Sequence, residues 1–405
     1  MNLFFQGRGL VTVLVLGLFV AISGRAQTTR YVDVDATGSN TGTSWVNAYS
    51  NLQSALNAVV SGDQIWVAEG TYYPTNNSTA SAHFLLRPGV ALRGGFVGTE
   101  STVVQRIGTN HPSILSGDIG TPGFDGDNCE QVVLSTGATG ALLDRFILTK
   151  ARNTNKQGGG MNVAANLALR QCIFVDNSGY EGSGLHVGSA GVDNLSTIDS
   201  CIFINNTSSR RAGAVQNYGV VNSDNGPTFA NCLFVGNVCQ QSGNLAGGAM
   251  SLYHNRPRIV HCTFIGNSSD AGDAIYASAS VYVEASNCIF WDTGDHGGGI
   301  FVKQSSNPAR FTSTLNCDVR GGFLPPSLGS ATDNIDADPL FVNELGSNYR
   351  LKQASPCINT GVVIGSVTND LDGGTRPTGA GYDMGAYEFG SVNLEPPTGL
   401  MINVR

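Results

Sequence analysis

From Asp144 onward the apolar residues fall into short clusters that recur about every thirty residues, without the 3.6-residue rhythm of amphipathic helices. The six-residue pattern Cys-x-Phe-x-x-Asn appears at Cys172–Asn177, Cys201–Asn206, Cys232–Asn237 and Cys262–Asn267. A degenerate copy follows at Cys288–Phe290, with Thr293 in the asparagine place, and a weaker one at Cys317, with Val319 in the phenylalanine place. Successive cysteines lie 29, 31, 30, 26 and 29 residues apart. One such period is one coil of a β-solenoid. A second cluster sits between the first: small residues such as Gly159-Gly160 or Gly247-Gly248 stand before Met161, Leu185, Val215, Met250, Ile275 and Ile300. Glycine there permits positive φ and close backbone approach, so these positions predict a corner followed by an inward-pointing strand. A third apolar position precedes each cysteine by three residues, at Leu169, Ile198, Phe229, Ile259 and Ala285. Three strands per coil follow, and with them an all-β fold: a single-stranded right-handed parallel β-helix with terminal caps.

Stacked coils place like residue over like at the strand spacing, so the Phe, Cys and apolar columns become internal ladders. The Asn177, Asn206, Asn237 and Asn267 amides are expected to turn inward and bond the backbone of neighbouring coils, because a buried amide must be satisfied. Truncating an inward ring such as Phe234 to alanine should cost about 3 to 5 kcal/mol, and truncating the outward Gln216 under about 0.5 kcal/mol.

The flanks set the remaining boundaries. Arg8 precedes an apolar run from Leu10 to Ile22, with small residues at Ser23, Gly24 and Ala26. This reads as a signal peptide over 1–26 with cleavage after Ala26, and hence as an exported chain at the outer cell surface or beyond it. Residues 27–75, with a periodic stretch from Leu52 to Val60 that suits a helix, form an amino-terminal cap and first coil; 76–335 form the helix body. Asp338–Phe341, Tyr349–Leu351, Ser355–Ile358 and Asp383–Phe389 leave the register and make 336–390 a carboxyl-terminal cap. Residues 391–405 read as a linker and the start of a further domain. No later apolar stretch is long enough to span a bilayer as a helix.

Composition narrows the function. A formal charge of −8, from 22 basic and 30 acidic residues, removes the positive surface that nucleic acid needs. Nine cysteines in an exported chain would ordinarily signal disulfides. Here six share one register, where parallel side chains seldom reach the disulfide dihedral, so a buried thiol ladder is the better expectation. No Cys-x-x-Cys spacing offers a zinc site.

The strands after the small-residue corners predict one outward column: Asn162, His186, Gln216, Ser251, Tyr276 and Phe301, with Tyr218, Tyr253 and Lys303 alongside. Amides and aromatics on a flat strand face suit a glycan, against the plainer reading of a solvated sheet. A second line, through Glu181, Arg210, Arg211, Asp270, Asp273 and His296, mixes charges as solvated loops do. Asp118, Asp125 and Asp127 could donate oxygens to Ca²⁺, although their spacing also suits a plain turn, and no other cofactor is called for. Arg256 and Arg258 read as surface arginines, and Arg376, Asp383 and Glu388 as a structural ion network.

The terminal segments Asp338–Phe341, Ser355–Gly361, Asp370–Arg376 and Asp383–Phe389 resemble the choice-of-anchor Q β-helix proteins of bacteria, as do Gly94–Glu100 and Ile114–Asp118 in the early coils. The coils are similar also to the repeats of polymorphic outer-membrane proteins, which implies an adhesin-like passenger. Neither resemblance supplies catalytic residues. The expected function is a monomeric, non-catalytic β-helix that meets a glycan or cell-surface ligand. The alternative is a polysaccharide lyase or glycoside hydrolase of the pectate-lyase-like superfamily.

Overall fold

A computed structural model describes residues 25–106, 111–242, 246–278, 281–292, 300–302, 312–322 and 329–391. The proposed signal peptide through residue 24, Lys303, His296, Thr293 and the terminal linker fall outside the described residues. The chain winds as a right-handed parallel β-helix. Among the described residues its strands stack into three parallel sheets of eleven, nine and eight members. One coil shows the path: Ala168–Arg170 in the first sheet, Ile173–Val175 in the second, a short Ser178–Gly179 strand, and Leu185–Gly188 in the third. The next coil repeats it in register, Leu169 beside Ile198, Phe174 beside Phe203 and Leu185 beside Val215.

The interior is built from self-stacking columns. Phe174, Phe203, Phe234, Phe264 and Phe290 form a continuous stack with centroids 4.8, 4.9, 4.6 and 4.9 Å apart and planes within 15° of parallel. All nine cysteines are buried and free, and the Cys232 and Cys288 amides donate to the sulfurs one coil on. The asparagines form a hydrogen-bonded ladder. Each Nδ2 donates backwards to a carbonyl and forwards to the next Oδ1: Asn177 to Leu148 and Asn206, Asn206 to Phe174 and Asn237, Asn237 to Phe203 and Asn267. The last rung is not in the Thr293 place that the repeat spacing suggests. Asp292, one residue earlier, accepts from both the backbone N–H and the Nδ2 of Asn267.

The corners also differ from expectation. Left-handed backbone occurs before each cysteine, at Gln171, Ser200, Asn231, His261, Asn287 and Asn316. It occurs again before each asparagine, at Asp176, Asn205, Gly236 and Gly266. The glycine pairs serve mainly close approach: a Cβ on Gly160 would lie 2.6 Å from the Gly184 oxygen, and one on Gly248 2.3 Å from that of Asp273.

At the amino end a helix, Leu52–Ala58, presents Leu52, Ala55 and Leu56 to the core. Asn51 caps it by accepting from the N–H groups of Gln53 and Ser54. At the other end, residues 336–391 do more than close the register. They lie along the outer face of the second sheet, where Phe341, Tyr349, Leu351, Met384 and Tyr387 cover Ile204, Leu233, Val235, Ile265 and Ile289. The Gly385 amide donates to the Asn287 oxygen and the Ala386 amide to Thr263. This flap is shaped by a fully buried Arg376–Glu388 pair at 2.7 Å, with Arg376 also donating to the oxygens of Asp383 and Gly385. Such a pair fixes geometry more than it adds net stability.

Asp318 lies in the seam between the last coils and the flap, accepting from the Ala337 amide and the Cys357 thiol. Burial raises its carboxyl to about 6, against the lowering effect of those bonds. Its protonated form therefore favours the fold: this contribution is complete below about pH 3.8 and is lost as pH rises through about 6. Chemical denaturation of Asp318→Asn against the parent should give stability curves that converge near pH 4 and separate by pH 7, with the variant the more stable. Curves that stay parallel would refute the assignment.

Candidate functional site

The third sheet carries the column expected from the sequence. Asn162, His186, Gln216, Ser251, Tyr276 and Phe301 are successive register partners, and Tyr218 pairs with Tyr253 two residues further along. It is not a flat solvated face. His186 is 2% exposed, Gln216 and Ser251 0%, Tyr276 1% and Tyr253 9%. Phe301 takes its place by backbone pairing, and Lys303 lies outside the described residues.

The cover comes from corner loops that cross over the strand face, and the expectation that these loops are merely solvated is corrected here. Glu181 points back over the sheet, its side chain 3% exposed. Its Oε1 meets Arg210 at 3.2 Å and Arg211 at 3.3 Å. Its Oε2 accepts from Gln157 at 3.0 Å and, with the Gln216 amide oriented to satisfy both ends, from Gln216 at 3.0 Å. The Gln216 oxygen then accepts from Arg211 Nη1 at 3.1 Å. Arg211 lies over the Tyr253 ring at 4.8 Å. Arg210 lies over Tyr180 at 5.4 Å and donates to its hydroxyl at 2.8 Å. A buried carboxylate needs this full set of partners to stay ionised away from water. Glu181 and Arg211 are 30 residues apart, one coil period, which is the sequence signal that would have stacked them.

Beside this cluster opens a cleft of about 610 Å³, within the range of small-ligand sites. Its lining includes Asn162 and His186 of the third sheet with Tyr180, Glu181, Arg210, Arg211, Ser189, Ala190 and Tyr218. Gln131, Gln157 and Lys156 border it, the lysine being ion-paired with Glu130. The His186 Nδ1 edge faces the Asn162 Oδ1 at 3.4 Å, while Nε2 is buried with no partner among the described residues. Burial, reinforced by the Arg211 charge, lowers the imidazole to about 4. The ring is neutral at physiological pH.

Other expected residues fall elsewhere. Asp118 accepts from the Gly123 amide, Asp127 from Thr121 and Ser78, and Asp125 from Asn128, so the three close a turn. Among the described residues no three His, Cys, Asp or Glu side chains converge on a point that could hold a metal ion. Arg256 and Arg258 both pair with Glu284 and do not line the cleft. Tyr180, Gln131, Gln157 and Lys156 carry no repeat signature, and sequence reading missed them.

No family model matches the chain, and no curated protein sequence does either. Among solved structures, the chain is similar to one titled "Crystal structure of pectate lyase Pel9A". The TM-score is 0.53 at 15% identity, over 90% of this chain and 97% of that one. A structure named "Rhamnogalacturonan lyase" aligns with a TM-score of 0.40 at 14% identity, over 84% of this chain and 97% of that one. The fold is the pectate-lyase-like parallel β-helix. At this identity the likeness extends to the fold alone.

The buried position of Gln216 revises its expected worth. Gln216→Ala leaves Glu181 and Arg211 each short of a partner and should cost about 1 to 3 kcal/mol. Phe234→Ala should cost about 3 to 5 kcal/mol. Paired denaturation curves test both, and a loss below about 0.5 kcal/mol at Gln216 would return that residue to the solvent.

Proposed function

We propose that the protein is an exported β-helix of the bacterial cell surface, of the choice-of-anchor kind, that binds a glycan in this cleft as an adhesin-like module without turning it over. The observation that carries the reading is the cleft itself. Its lining offers a neutral imidazole, an amide and the Tyr180 and Tyr218 rings, and its charged groups already hold one another. Aromatic faces with a few convergent hydrogen-bonding groups are what a sugar, apolar on its ring faces and polar at its edge, requires.

The same groups make poor catalysts. A general base works best with a pKa near the operating pH, and His186 sits at about 4. Glu181 is committed to two arginines and two amides. Freeing it would leave buried charges unpaired at a cost of about 3 to 5 kcal/mol. Lys156 is paired with Glu130.

The test is a panel of neutral and acidic polysaccharides offered to the purified exported chain, with and without added Ca²⁺, following retained binding, reducing ends and unsaturated-product absorbance together. Saturable binding with no product, abolished by Asn162→Trp, is the expected result. Product formation lost in His186→Ala would replace this reading with the lyase or hydrolase alternative, and silence in every channel would leave only a structural stalk.

A further inference from the structure

We infer that the sugar recognised in the cleft is a neutral one, held through its hydroxyl groups, and not the repeating uronate of an acidic polysaccharide. The inference rests on the glycan-binding reading and narrows it.

Three cations border the cleft, and each is already spoken for. Arg210 and Arg211 share Glu181, and Lys156 is paired with Glu130. Swinging Arg211 onto a ligand carboxylate would take from Glu181, 3% exposed, one of its two guanidinium partners and leave it to Arg210 and two amides, a loss of pairing for a buried charge. Three cations against two carboxylates leave a single net positive charge at the cleft, on a chain whose formal net charge is −8. A polyanion approaching such a molecule is repelled over the range of the Debye length before it reaches any local attraction.

The deepest polar group makes the complementary argument. His186 is 2% exposed and lines the cleft, and its Nε2 has no partner among the described residues. With the Asn162 amide oxygen turned toward it at 3.4 Å, the tautomer that satisfies both groups has Nδ1 donating, and in that tautomer Nε2 is an acceptor. A bare buried acceptor matches a hydroxyl donor, whereas a carboxylate brought to the same place would set lone pair against lone pair. The charged groups that could alter this ring are those around the cleft: Arg211, whose charge acts on it, with Glu181, Arg210 and Lys156 and the Tyr180 and Tyr218 phenols.

The experiment is calorimetric titration of the exported chain with gluco-, manno-, xylo- and galacto-oligosaccharides on one side and oligogalacturonate on the other, at low and high salt. The probes are to be tested on the parent, His186→Phe, His186→Gln and a Leu345→Ser control on a fully exposed side chain. A neutral oligosaccharide should bind with an affinity that salt leaves unchanged and that is flat between about pH 5.5 and 8. His186→Phe should weaken it about tenfold, the loss of one hydrogen bond, while His186→Gln, which keeps an acceptor, retains most of it. Tighter, salt-sensitive binding of oligogalacturonate would overturn the neutral-sugar inference and leave the glycan reading standing. Binding of neither class would overturn both. Neutral binding indifferent to His186→Phe in a variant with parental circular dichroism would remove the ligand from this cleft.

Discussion

Everything in this molecule depends on coils stacked in register at the spacing of parallel strands, about 4.8 Å. The chain stacks apolar over apolar inside, as Leu169 over Ile198 and Phe229 over Ile259, because each interior position recurs one coil later directly over itself. Only side chains that tolerate their own company can fill such columns: a phenyl ring offset on a phenyl ring at 4.6 to 4.9 Å, a thiol near a thiol, an amide that both donates and accepts. Charges cannot stack on like charges, which is one reason that only 13% of residues are charged. Where an outward column of the first sheet does carry them they alternate in sign, with Arg93 beside Asp144, Asp144 beside Arg170 and Arg170 beside Asp199.

The asparagine ladder shows how the constraint begins and ends. A row of amides can run indefinitely, since each passes one hydrogen bond to the next, but its last member needs an acceptor that asks for nothing further. Asp292 fills that place, and its burial raises the carboxyl well above the usual aspartate range, although the bonds from Asn267 pull the other way. At the opposite end Asn177 reaches the Leu148 oxygen and accepts from Ala151, so the row starts on backbone partners. Asn177, Asn206, Asn237 and Asn267 are each at most 2% exposed.

Because the repeat is a physical requirement, the helix body was legible in the sequence. The three strands and the Phe, Cys and Asn columns follow from counting residues between cysteines, and the succession Asn162, His186, Gln216 follows from the small-residue corners between them. Three things escaped that count. The path of residues 336–391 depends on apolar residues of the second sheet's outer face, such as Leu233 and Ile265, which read locally as ordinary strand residues. The left-handed corners fall on Gln171, Ser200 and His261, residues with no special claim to positive φ. Glu181, Arg210 and Arg211 looked like surface charge because their composition says so, and only the fold of the corner loops turns them over the sheet.

The same constraint marks where local partners take over from repetition. A column that repeats one residue type is explained by stacking alone. The outward column of the third sheet reads Asn162, His186, Gln216, Ser251, Tyr276, with every neighbour different, yet four of these five are buried as deeply as the core. The interior columns vary too, but only among apolar residues; burial of varied polar groups is not what coil stacking by itself produces. Each of these residues answers to a local partner: His186 to Asn162, and Gln216 to Glu181 and Arg211. One atom of the set, the His186 Nε2, is buried with no partner among the described residues, on a residue that lines the cleft. In a solenoid whose interior is satisfied by repetition, this unrepeated buried column, with one unpartnered ring nitrogen at His186, is what motivates placing the proposed ligand beside it.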